Sequence, residues 1–111
     1  MKKPTLTTKA TPYGIGSDTF PGLSKYIEKS GNANQVIGKI QGCDHQDGKV
    51  FLKERLEDEL ADVVAAIAYI SEKNNLNLDH MEVRSREKLI QFIRQHDNVQ
   101  AGRDPNDNGE N

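Results

Sequence analysis

The chain has 111 residues, enough for one domain with a modest core, and only 34% of them are hydrophobic, with no Trp. A formal net charge of -2 and a pI near 5.9 give no electrostatic basis for general nucleic-acid binding. No apolar run approaches the roughly 18 residues that span a bilayer. The single cysteine, Cys43, allows no internal disulfide, so the cytoplasm is the expected location, with no membrane partner.

Residues 1–19 are rich in Thr, Lys, Pro and Gly without a sustained period, and read as a flexible N-terminal arm that orders only against a partner. A first helix is predicted from about residues 20–23 to Ile40, with Asp18 or Thr19 as cap and Pro21 tolerable in the first turn. Leu23, Tyr26, Ile27, Val36, Ile37 and Ile40 supply its apolar face. Its middle, Ser30-Gly31-Asn32-Ala33-Asn34, holds poor helix formers that together cost about 2 kcal/mol against an all-Ala helix. Gly31 there offers a place for a neighbouring helix to approach closely. Residues 41–50 read as a polar loop, with Gly42 ending the first helix and Gly48 permitting a turn.

Residues 52–71 carry the most regular pattern in the chain. Leu52, Leu56, Leu60, Val63, Val64, Ile67 and Ile70 form a stripe at helical spacing over about five turns, uninterrupted by Gly or Pro. Glu59 and Asp62 stand three residues apart, so both carboxylates leave nearly the same side of that helix. Two such acids repel unless a positive charge, commonly a divalent cation, lies between them. The plainer account is a solvated charged face shared with Arg55, Glu57 and Asp58. After a turn near residues 72–77, a third helix is expected from Asp79, with Glu82 as capping-box partner. Met81, Val83, Leu89, Ile90, Phe92 and Ile93 make it apolar on one side, and Arg84, Arg86, Lys88 and Arg94 make it cationic. Residues 97–111 have almost nothing to bury and are expected to be a disordered tail. The expectation is an all-α helical bundle over residues 20–96, completed by oligomerisation because so thin a core needs partners.

Over residues 20–96 the order of features resembles the MazG-like all-α nucleoside triphosphate pyrophosphatases. GLSKYIEKSGNANQVIGKI resembles their first motif helix, ERLEDELADVVAAI the second, and NNLNLDHMEVRSREKLIQF the helix that follows. The resemblance implies hydrolysis of a nucleoside triphosphate to monophosphate and pyrophosphate on Mg²⁺ held by four carboxylates. Two would come from an ExxD motif, here Glu59 and Asp62. The other two would be the second and last glutamates of an EExxE motif, which here reads Glu28-Lys29-Ser30-Gly31-Asn32. Glu28 is retained, but both ligand positions are changed, to Lys29 and Asn32.

The change removes two negative charges and adds a positive one where a hard cation would sit. Lys29 would repel Mg²⁺, whereas Asn32 still offers a neutral carbonyl oxygen. The function expected from this pattern is nucleotide binding with weakened or lost pyrophosphohydrolase activity. Lys29 and Asn32, joined by Arg84 and Lys88 from the third helix, would contact the nucleotide. One alternative is an active Mg²⁺-dependent enzyme using Glu59 and Asp62 as ligands and Glu28 as replacement ligand or base. Another is a protein-binding module on a vestigial scaffold. If Lys29 faces Glu59 and Asp62 across helices, a buried ion-pair network would replace the metal structurally, and Lys29→Ala would cost about 3 kcal/mol or more. The partners implied are a nucleoside triphosphate or related nucleotide and further copies of the chain in a dimer or tetramer.

Overall fold

The computed structural model describes residues 18–109, so most of the expected N-terminal arm lies outside the described residues. The described chain is all-α: α1 (Leu23–Gln41), α2 (Gln46–Lys73) and α3 (Leu78–Gln100), with no strand among the described residues. It divides into two compact units, Met1–Leu76 and Asn77–Asn111.

In the first unit α1 and α2 form an antiparallel hairpin. Asp18 caps the approach to α1: its carboxylate accepts from the Ser24 backbone N–H at 2.9 Å and from the Ser24 hydroxyl. Gly22, at φ 87°, turns the chain into the helix in a left-handed conformation that favours glycine. A Cβ at Gly22 would lie 2.8 Å from Ile70 Cα, so the missing side chain lets the start of α1 rest directly on the end of α2. Asn74 ties the same corner, donating to Pro21 O at 2.8 Å and to Ile70 O at 2.7 Å. The fully enclosed apolar core is small: Leu23, Ala33 and Val36 from α1 and Ala66 from α2.

The weak segment at residues 30–34 stays helical, since buried Ala33 and nearby Val36 anchor it against α2. Gly31 does not admit a neighbour, because nothing lies within 4 Å of a Cβ built there. The connection to α2 is shorter than the expected ten-residue loop. Helix α2 begins at Gln46, with Asp47 in its first turn where a carboxylate suits the helix dipole. Gly48 is helical rather than a turn residue. Its lack of a Cβ makes room for Cys43 Sγ, which would stand 2.9 Å from one.

The apolar stripe of α2 is only partly covered: Leu60 is 45% and Val64 66% exposed, as is Phe51 at 66%. The helix ends at Asn74, and Asn75 takes a positive φ of 55°, a conformation Asn tolerates better than most residues.

The second unit consists of α3 and the segment that follows it. Its N-cap is Asn77, whose side chain accepts from His80 N–H at 2.9 Å, so the helix starts at Leu78 rather than Asp79. Glu82, expected to close a capping box, instead pairs with Arg86 at 2.6 Å one turn later. Where a tail was expected from Asp97, α3 continues to Gln100 and residues 101–109 turn back onto it. The anchor is Asn98, which is buried. Its amide donates to Pro105 O at 3.0 Å and Asp107 O at 2.8 Å, and its carbonyl accepts from the Arg103 guanidinium at 3.1 and 3.2 Å. A polar segment with little to bury is thus ordered by saturating one amide with hydrogen bonds.

Candidate functional site

The hairpin register that sets Gly22 against Ile70 also sets Lys29 against Asp62. Lys29 Nζ lies 3.7 Å from Asp62 Oδ2 and 3.6 Å from Glu28 Oε1. Glu28 also accepts from Lys25 Nζ, at 3.2 Å through Oε2. The result is an alternating row, Lys25–Glu28–Lys29–Asp62, with three members on neighbouring turns of α1 and the last on α2.

Both Lys29 distances are in the ion-pair range but beyond hydrogen-bond contact, so the ammonium is held electrostatically while its N–H donors can turn to a ligand oxygen. The row is accessible: the Lys29 side chain is 27% exposed and that of Asp62 51%. The buried ion-pair network expected for this position is therefore not what forms. Solvent reaches the pair, which lowers its worth to that of a surface salt bridge.

Beside the row lies an open groove of about 380 Å³ lined by Lys25, Lys29, Asp62, Ala65, Ala66 and Tyr69. Its floor is apolar because Ala65 and Ala66 leave room between the helices. Tyr69 bounds it two turns along α2 from Asp62, and the Lys73 ammonium stands 5.7 Å from the centroid of the Tyr69 ring.

Of the residues picked from sequence, Glu28, Lys29 and Asp62 come together. Glu59 sits on α2 one turn before Asp62, half-buried, and takes part in none of the ion pairs found among the described residues. The hairpin register puts Asn32 at the level of Glu59. Arg84 and Lys88 belong to α3 in the second unit, where Arg84 is exposed and Lys88 Nζ donates to Gln91 Oε1 at 3.1 Å. Lys25, Ala65, Ala66 and Tyr69 were not singled out from sequence, although Lys25 is one turn before Lys29 and Tyr69 is two turns past Asp62. Those spacings are the signal that could have found them.

The donor set does not fit the Mg²⁺ that the resemblance implies. Among the described residues no three or more His, Cys, Asp or Glu side chains gather around one point. One of the two candidate ligands, Asp62, already faces an ammonium that a divalent ion would have to approach. Comparison with protein-family models, with curated proteins and with solved structures finds no match.

Proposed function

We propose that this chain is a nucleotide-binding protein built on a MazG-like helical scaffold, with pyrophosphohydrolase activity weakened or lost. The observation that carries this reading is the position of Lys29. Where the resemblance expects a metal-binding glutamate, an ammonium stands between the carboxylates of Glu28 and Asp62, beside a groove of ligand size. A tethered cation at that point takes over part of the charge neutralisation a metal would provide to a phosphate.

The exposed apolar side chains support assembly into a homo-oligomer, a dimer or tetramer. Val64 and Phe51 on α2 and Leu89, Ile90, Phe92 and Ile93 on α3 are each more than half exposed, and a second copy is the simplest cover for them.

The test is calorimetric titration of the full chain with ribo- and deoxynucleotides in EDTA, beside Lys29→Ala. Binding without metal that weakens at least tenfold in Lys29→Ala is the expected result. Binding that needs Mg²⁺ and is indifferent to Lys29 would favour the active-enzyme reading. No binding of any nucleotide would leave the scaffold as a protein-binding module.

A further inference from the structure

The charge balance and shape of the groove identify which nucleotide it suits. The charged side chains beside it are two cations, Lys25 and Lys29, and two anions, Glu28 and Asp62, so the row is neutral before any ligand arrives. Each phosphate added to a ligand brings further negative charge toward Glu28 and Asp62, and the donor set described above does not suit a divalent cation that would offset it. A tetra-anionic triphosphate tail is therefore the worst match, and a single phosphate the best.

Size points the same way. Lys25 and Lys29 are one helical turn apart, a spacing that lets both ammonium groups reach one phosphate. From Asp62 to Tyr69 is two turns of α2, about 10 Å along the axis. The floor between, Ala65 and Ala66, is small and apolar, and Tyr69 closes the far end with an aromatic ring beside Lys73. One phosphate at the lysines, a sugar over the alanines and a base against Tyr69 fill that length.

We infer that the groove between α1 and α2 binds a nucleoside monophosphate without a divalent metal, its phosphate on Lys25 and Lys29 and its base against Tyr69. The assignment rests on the nucleotide-binding reading given above.

The experiment titrates the full chain in EDTA with uridine, UMP and UTP, and with adenosine, AMP and ATP, then repeats the monophosphates in Mg²⁺. The monophosphates are expected to bind at least tenfold more tightly than the nucleosides and no more weakly than the triphosphates. Mg²⁺ should change their affinity less than twofold. Lys25→Ala should weaken the monophosphate at least fivefold and leave the nucleoside unchanged, whereas Tyr69→Leu should weaken both. Circular dichroism of each variant checks that the helices persist, and both positions are only partly buried. Triphosphates binding tenfold more tightly than monophosphates in EDTA would overturn this inference while leaving a nucleotide site in place. An unchanged monophosphate affinity in both variants would overturn the placement in this groove. No binding of any of the six by the unmodified chain would overturn the nucleotide reading itself.

Discussion

Lys29 Nζ and Asp62 Oδ2 face each other across the α1–α2 hairpin at 3.7 Å, with half of the Asp62 side chain open to solvent. Water screens so exposed a pair, and holding two flexible side chains together offsets much of the Coulomb attraction. Lys29→Ala should therefore lower the unfolding free energy by less than about 1 kcal/mol in a urea titration. A loss near 3 kcal/mol would show instead that the pair behaves as a buried one.

Two glycines of one helical hairpin should respond in opposite directions. Gly22→Ala places a Cβ 2.8 Å from Ile70 Cα at a positive φ, so it combines backbone strain with a clash against main chain. A cost of about 2–4 kcal/mol is expected from those two effects together. Gly31→Ala meets nothing within 4 Å in the middle of α1. It should stabilise the helix by about 0.5–1 kcal/mol. Thermal melts of the two variants beside the unmodified chain measure both, and equal shifts would contradict the close packing at Gly22.

The three helices were legible from sequence because apolar residues at a period near 3.6 persist through each of them. The start of α2 was not. Gly48 reads as a turn residue until Cys43 is seen packed against it, a contact that helical periodicity does not encode. The segment after α3 was misread for a related reason. Its composition offers no apolar surface, and its order comes from one buried amide, Asn98, meeting backbone carbonyls several residues ahead. At the site, Glu59 and Asp62 were visible as a same-face pair, and Lys29 as a charge reversal within a motif. That Lys29 meets Asp62, and that Lys25 and Tyr69 line the same groove, follows from the hairpin register. No local spacing fixes that register.

Asn98 provides the clearest handle on the second unit. Asn98→Ala removes the side chain that holds Pro105, Asp107 and Arg103. Each lost bond that leaves a buried carbonyl unpaired costs about 1–3 kcal/mol. The amides of Gly102 and Arg103, which donate to Val99 O at 3.0 Å and Asn98 O at 2.8 Å, should then exchange with deuterium at least tenfold faster. Amides in the middle of α3 should be unaffected. Unchanged exchange at both positions would mean that the turn is held by its backbone alone.

The central claim is that an ammonium at Lys29 has displaced the metal chemistry of the scaffold. Its most direct test is pyrophosphate release from a panel of ribo- and deoxynucleoside triphosphates in Mg²⁺ or Mn²⁺, with Glu59→Ala as control and the Lys29→Glu/Asn32→Glu double variant alongside. The account predicts no Glu59-dependent release from the unmodified chain, and release that appears in the double variant once two carboxylates are supplied. Robust release from the unmodified chain that disappears in Glu59→Ala would contradict it.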